Sequence, residues 1–317
     1  MINFHLPDAS NNVSLLLSVA MTMKERPGLV RNDVRIGSVF GSPNVIWNGG
    51  RMILSKYDPA YTKNIIRQYN AFGVPYRFTW TNPLITEEYL DDYDANNLLD
   101  FADNGMNEVI VYSPYLEEYI RKKHPNMKIT SSTCKCIRTI EGVKEELSKP
   151  YSLVVLDFNF NNDFEKLEQL TPEERKRCEI LCNPTCRPGC TRRAEHYRYI
   201  GEQQLHFREF LERFNRMSPA EKQRASIKEW ECSDRQTFIY GEKDYPLVVK
   251  PETVYDKYVP MGFENFKLEG RGSNMMLVAE WAARYIAKPE CKEEFLFHIM
   301  AAAIANYHMN MNVSAMH

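Results

Sequence analysis

Short apolar, β-rich runs alternate with amphipathic helical patterns along most of the chain. Eight of these runs have the length and composition of strands, at residues 34–41, 74–80, 108–113, 128–132, 152–158, 178–183, 245–250 and 265–270. Eight strands separated by helical crossovers predict an α/β fold, a (β/α)8 TIM-like barrel. A doubly wound open sheet is the alternative, but no glycine-rich dinucleotide fingerprint follows the first predicted strand to support it.

The same pattern divides the chain into an N-terminal extension and one barrel domain. Residues 1–33 precede the first predicted strand and are expected to lie outside the barrel, which then spans residues 34–317. A long polar, helical stretch at residues 191–243 interrupts the alternation after predicted strand six, and two helices end the chain. Insertions of this length at strand ends often carry function.

Composition and charge narrow the class of protein. The 317 residues are 44% hydrophobic and 26% charged, which is typical of a globular protein with a sizeable core. The formal net charge of -2 disfavours extended nucleic-acid binding. The apolar run at residues 13–23 lacks a basic flank and a cleavage site, and no stretch is long enough to cross a bilayer. We therefore expect a cytoplasmic protein without a membrane partner.

Cysteine spacing is the most specific feature of the sequence. Of eight cysteines, Cys178, Cys182, Cys186 and Cys190 recur at every fourth position, and the last two lie in a loop rich in proline and glycine. Such a loop suits an iron–sulfur cluster, whereas zinc usually takes closer Cys-x2-Cys knuckles. Three ligands from this stretch, Cys182, Cys186 and Cys190, need a fourth, and Cys232 in the insertion is the first choice.

Cys178 competes with Cys232 for that fourth position. On a strand, Cys178 and Cys182 would be roughly 13 Å apart, too far to share one cluster, so Cys178 is assigned to the barrel wall. Buried free thiols acting as small hydrophobes are the alternative for Cys178, Cys134 and Cys291. Cys134 follows predicted strand four and is a candidate substrate-facing thiol.

The remaining candidates lie at the carboxyl ends of strands, where barrel enzymes place their active sites. In the stretch NFKLEGR, alternation puts Lys267, Glu269 and Arg271 on one face. Similar reasoning selects polar and aromatic groups at other strand ends, namely Asp157, Arg77, Trp80 and Asn48. A paired Arg/Glu network that braces the barrel is the alternative interpretation of the charged residues.

Several segments resemble the collagenase-like peptidase family U-thirty-two. The stretches are NGMNEVIVYSPYLEEYIRKKHPNMKITSST, YPLVVKPETVYDKYVPMG, FENFKLEGR and SLVVLDFNFNNDFEKLEQL, together with the cysteine loop. The resemblance implies a TIM-like barrel and a four-iron cluster, whose ligands would carry over to Cys182, Cys186, Cys190 and Cys232. This sequence departs from the family pattern in two respects. Its cysteines are more tightly spaced, and predicted strand four ends in Ser-Thr-Cys, where glutamine is usual.

This resemblance leads to a ranked set of functional hypotheses. Relatives take part in oxygen-independent hydroxylation, so the first hypothesis is an iron–sulfur enzyme that oxidises or hydroxylates a small or peptide-like substrate. Glu269, Arg271 and Arg77 would orient that substrate, with Asp157 as proton acceptor. A peptidase is the runner-up, although the sequence has no HExxH pair and no Gly-x-Ser-x-Gly elbow. A non-catalytic iron–sulfur or zinc protein that binds a partner is the third.

Overall fold

The fold is a closed barrel of eight parallel strands, given by a computed structural model that describes residues 1–51, 53, 57–225, 230–232 and 245–314. Each strand pairs with the next along the chain, and the last pairs with the first. The strands are β1 (Ile2–Pro7), β2 (Val34–Gly41), β3 (Tyr76–Trp80), β4 (Glu108–Val111), β5 (Lys128–Ser131), β6 (Leu153–Val155), β7 (Cys178–Leu181) and β8 (Asn265–Lys267). The predicted (β/α)8 barrel is therefore confirmed.

Helices surround the barrel and bury the outward faces of its strands in the main hydrophobic core. They are α1 (Val13–Glu25), α2 (Pro59–Ala71), α3 (Tyr93–Ala102), α4 (Pro114–Lys123), α5 (Ile140–Ser148), α6 (Phe164–Leu167), α7 (Pro172–Lys176), α8 (Arg193–Arg216), α9 (Pro219–Arg224), α10 (Pro251–Thr253), α11 (Met275–Ile286) and α12 (Lys292–Ser314). No helix in the part of the chain that the structure describes is long and apolar enough to cross a membrane.

Local sequence explains where several of these helices begin. The side chains of Asp58, Ser113 and Thr139 accept hydrogen bonds from backbone N–H groups in the first turns of α2, α4 and α5. Proline occupies the first helical position of α2 and α4, where its missing N–H costs nothing. These caps fix where the helices after β2, β4 and β5 begin, and the chain between each strand and its helix lies at the carboxyl end of the barrel.

Two expectations about the strands are wrong. Residues 1–33 are not an extension, because Ile2–Pro7 forms β1 and pairs with both β2 and β8. The stretch 245–250 is not a strand, although the Val249 N–H donates to the Cys182 carbonyl at 2.7 Å. The predicted count of eight was right only because these two errors compensate. Without β1, the sheet could not close between β8 and β2.

The helical insertion follows β7, which is predicted strand six. In its described part, the chain forms the long helix α8 and the short helix α9, and residues 230–232 pack beside α8. The rest of the predicted insertion, 226–229 and 233–243, lies outside the described residues. The two C-terminal helices, α11 and α12, pack beside α1 rather than forming a separate unit.

The barrel interior contains a buried ion-pair network centred on Arg77. Its guanidinium donates to Glu108 at 2.7 Å and also to Glu179 on the far side of the barrel. His5 Nε2 and Lys267 Nζ lie 3.3 and 3.7 Å from the Glu179 carboxylate. Burial alone would raise the Glu179 pKa, but Arg77, His5 and Lys267 together outweigh it and lower that pKa to about 2. The interior therefore holds a charged, paired layer.

Deleting residues 1–33 tests the corrected domain boundary. The deletion removes β1 and α1, leaves the edges of β2 and β8 unpaired, and exposes the core against which α12 packs. We expect the shortened protein to be insoluble or to lack a cooperative unfolding transition, as measured by circular dichroism during urea titration. A soluble, cooperatively folded product would show that the barrel does not need β1.

The buried His5 side chain leads to a prediction about how the free energy of unfolding depends on pH. Burial, followed by the charge of Arg77, lowers the His5 pKa from 6.5 to about 3, while Glu179 opposes this shift. The folded protein thus keeps His5 neutral while the unfolded chain takes up a proton, so stability is full above pH 6.5 and falls as the pH decreases towards 3. We expect His5 to lower the free energy of unfolding by about 2 kcal/mol between pH 7 and pH 5.

The measurement is urea denaturation at several pH values for wild type, His5→Gln and His206→Gln. The His5 substitution should flatten the slope between pH 7 and pH 5, whatever its effect on absolute stability. The His206 side chain is exposed and its substitution should leave the slope unchanged. Equal slopes for all three proteins would refute the assignment to His5.

Candidate functional site

A cavity opens at the carboxyl end of the barrel and has a volume of about 150 Å³. Its lining comes from inward-facing strand residues, from the loops that follow β2, β3, β5, β6, β7 and β8, from the start of α8, and from Cys232 in the insertion. The polar and charged lining groups include Arg51, Thr79, Cys134, Cys186, Arg187, Cys190, Arg193, His196, Tyr197, Cys232, Lys267, Glu269 and Arg271. This is the face on which barrel enzymes assemble their active sites.

Asn183 holds the cysteine loop to the strand beside it. Its side-chain amide donates to the Glu269 carbonyl at 3.0 Å and accepts from the Glu269 N–H at 2.6 Å. Further along the loop, the Gly189 N–H donates to the Asn159 side chain at 2.8 Å. These contacts fix both ends of the loop against the chain after β6 and β8, so that Cys186 and Cys190 face the cavity.

The thiols at this cavity come from three separate segments. Cys186 and Cys190 belong to the loop after β7, Cys134 to the turn after β5, and Cys232 to the described end of the insertion. Burial and the adjacent Cys190 raise the Cys186 pKa to about 12. All eight cysteines of the chain are free thiols.

Cys182 does not join this group. Strand alternation directs Leu181 and Lys267 into the cavity and turns Cys182 outward, where it is buried in the core between the barrel and the helices. Burial raises its pKa well above the ordinary value. Within the described ranges, no three cysteine, histidine, aspartate or glutamate side chains converge as metal ligands. Of the four ligands predicted from the sequence, Cys186, Cys190 and Cys232 therefore line the cavity, and Cys182 does not.

Cys178 lies in the barrel wall, as its strand spacing suggested. Its side chain is fully buried within the main hydrophobic core. Burial raises its pKa to about 12. It is a structural thiol remote from the cavity lining.

Three predicted substrate-binding residues lie elsewhere. Arg77 is part of the interior ion-pair network, which was the alternative interpretation. Trp80 points outward and packs edge-on against Trp47, with ring centroids 5.1 Å apart. Asn48 is buried and donates to the Arg51 carbonyl and to Gln204. None of the three lines the cavity, because Arg77 lies deeper in the barrel than Thr79, Trp80 faces the outer side of β3, and Asn48 is held behind the loop after β2.

Asp157, the predicted proton acceptor, is buried in an ion pair with Arg193. The Arg193 guanidinium also lies 4.2 Å from the centre of the Phe158 ring and donates to the Cys136 thiol at 3.1 Å. Asp157 is absent from the cavity lining, whereas Arg193 is present. The carboxylate therefore positions Arg193 at the start of α8 and has no free access to a ligand.

Glu269 and Arg271 do line the cavity, as the sequence predicted. Glu269 forms an ion pair with Arg51, a lining residue that the sequence reasoning missed. The two glycines before Arg51, in the stretch NGGR, indicate a close backbone approach there and were the available clue. Lys267, noted only for its inward direction, also reaches the cavity, and burial lowers its pKa to about 8.

Comparison with solved structures finds a structural similarity. The chain is similar to a solved structure described as that of the U32 peptidase Mk0906, with a TM-score of 0.46 and 14% sequence identity. The similarity covers 85% of this chain and 93% of the other. That protein bears the name of the family which the sequence resembles. No family model matches this chain, and no curated protein matches it.

Proposed function

We propose that this chain is an iron–sulfur-dependent barrel enzyme that oxidises or hydroxylates a small or peptide-like substrate without molecular oxygen. The observation that carries the proposal is the presence of four thiols around one open cavity, at the face where barrels bind their substrates. Thiolates are the ligands that iron–sulfur clusters take. Free thiols throughout the chain suit the reducing cytoplasm in which we expect it to work.

The ligand set that we propose replaces Cys182 with Cys134. Cys134, Cys186, Cys190 and Cys232 share the cavity, whereas Cys182 faces the opposite side of its strand. This set matches a cluster by donor chemistry and by location. Because no three of the described groups converge in this structure, the thiols must approach one another for binding.

A bound cluster would supply either electron transfer or a Lewis-acid iron at this cavity. The protein's own contribution is to shape the cavity and to keep its charges in place. Glu269 is held by Arg51, and Asp157 by Arg193, so neither carboxylate is free to accept a proton without breaking an ion pair. Lys267, with its pKa near 8, is the better candidate for proton exchange at the cavity floor.

The thiol environment argues against a cysteine peptidase that uses the loop thiols. A nucleophilic cysteine needs a lowered pKa, and that of Cys186 is raised to about 12 by burial and by Cys190. A metal ion can overcome such a shift because its own charge favours the thiolate. Cluster binding therefore agrees better than peptidase chemistry with the site.

Iron and acid-labile sulfide analysis of anaerobically purified protein tests the proposal. We expect wild type to contain both, with Cys134→Ala and Cys186→Ala each losing most of them because each substitution removes a proposed ligand. Cys182→Ala and Cys178→Ala are matched controls, since both delete a buried thiol outside the cavity. These controls should keep the cluster even if their thermal stability falls.

Other outcomes would identify a different function. Loss of iron in Cys182→Ala with retention in Cys134→Ala would restore the ligand set predicted from the sequence. Stoichiometric zinc in place of iron would indicate a zinc site. Casein cleavage by the iron-free wild type, abolished in Cys134→Ala, would support a peptidase instead.

A further inference from the structure

Three cationic side chains at the cavity lie beside carboxylates. Arg51 pairs with Glu269, Arg193 pairs with Asp157, and Lys267 lies 3.7 Å from Glu179. Within the described residues, no carboxylate lies within ion-pair distance of Arg271. A half-buried guanidinium without a counter-ion is costly to maintain unless a ligand supplies the negative charge.

The Arg271 guanidinium is held in place by neutral acceptors. Nη1 donates to the Thr79 hydroxyl at 2.7 Å, and Nη2 donates to the Gly49 carbonyl at 3.1 Å. Two carboxylates, Asp8 and Glu269, act on it through space, but Asp8 accepts from Asn11 and Asn12, and Glu269 pairs with Arg51. Burial, then the charge of Arg51, lowers the Arg271 pKa to about 10, so the group is still cationic at neutral pH.

Two consecutive glycines make room for this arrangement. A Cβ at Gly50, whose φ is +71°, would lie 2.9 Å from Arg271 Nη2 and 3.5 Å from the Cys134 sulfur. A Cβ at Gly49 would meet the Thr81 backbone at 2.3 Å. The loop after β2 therefore packs directly against the guanidinium and fixes its orientation beside Cys134. Such preorganisation reduces the entropy cost of binding a ligand.

The rest of the cavity wall is largely apolar. Phe40, Ile110, Val155, Phe158 and Leu181 line it, and its volume of about 150 Å³ admits a small molecule or a single side chain of a longer one. A ligand that matches this lining has a compact apolar body and one anionic group. The apolar body gains free energy by leaving water, and the anion completes the charge balance.

We propose that Arg271 binds a carboxylate, and that the cavity takes small apolar carboxylic acids or a carboxylate-bearing side chain. A carboxylate carries the single negative charge that one unpaired guanidinium balances, and its two oxygens match two guanidinium N–H groups. A phosphate monoester carries nearly two charges and would leave one uncompensated. The inference names the substrate class of the proposed enzyme, and it rests on that function only in taking the bound acid to be the substrate.

Titration calorimetry with three matched probes tests the proposal. We expect 3-phenylpropanoate to bind wild type at least about 10-fold more tightly than 3-phenylpropanamide, because the amide lacks the charge. Phenyl phosphate should bind more weakly than the carboxylate. Arg271→Met should weaken carboxylate binding by at least about 10-fold, and Arg271→Lys should restore part of it.

Arg177→Met is the control for general loss of an arginine. The Arg177 guanidinium donates to the backbone carbonyls of Leu147, Lys149 and Tyr151, at the opposite end of the barrel. Its substitution should lower stability without changing the affinity for 3-phenylpropanoate. Iron and sulfide are measured on the same samples. A protein that lacks the cluster but still binds the carboxylate would refute the proposed iron–sulfur function and leave the carboxylate site supported.

Three results would overturn the carboxylate site. One is unchanged affinity in a folded Arg271→Met protein, and another is tighter binding of phenyl phosphate than of the carboxylate. The absence of carboxylate binding to wild type at about 10 mM would have the same meaning. If Arg271→Met instead loses its iron, then Arg271 neutralises the cluster and does not recognise substrate.

Discussion

The buried ion-pair network around Arg77 is the constraint on which the barrel and its cavity depend. A guanidinium buried in the centre of a barrel destabilises the fold unless carboxylates surround it. Glu108 on β4 and Glu179 on β7 pair with Arg77 in this way. His5 and Lys267 extend the network to β1 and β8, which are the strands that close the barrel. The network thereby links the closure of the sheet to the floor of the cavity, where Lys267 emerges.

Strand alternation then decides which neighbours of this network reach the cavity. On β3, Arg77 and Thr79 point inward while Trp80 packs outward against Trp47. After β7, Leu181 reaches the cavity and Cys182 turns into the core. A displacement of one residue along either strand would exchange these roles, so the strand register selects which thiols line the cavity.

The two proposals describe adjoining parts of one site. Cys134 and Arg271 both lie within 3.5 Å of the position that a Cβ on Gly50 would occupy. A carboxylate held by Arg271 would therefore lie beside one of the thiols that we propose as a cluster ligand. The paired carboxylates, Glu269 and Asp157, keep Arg51 and Arg193 in place around this point without adding free negative charge.

The sequence by itself determined the barrel class, seven of its eight strands and the importance of the strand ends, because apolar periodicity records burial directly. It also identified Cys186, Cys190, Cys232, Cys134, Glu269 and Arg271, all of which line the cavity. Only the tertiary structure showed that β1 belongs to the barrel and that residues 245–250 do not, since strand pairing depends on distant partners. The tertiary structure was also needed to show that Cys182 and Trp80 face away from the cavity and that Asp157 is paired with Arg193. Spacing along a chain does not say which face of a strand meets the cavity, nor which buried charge already has a partner.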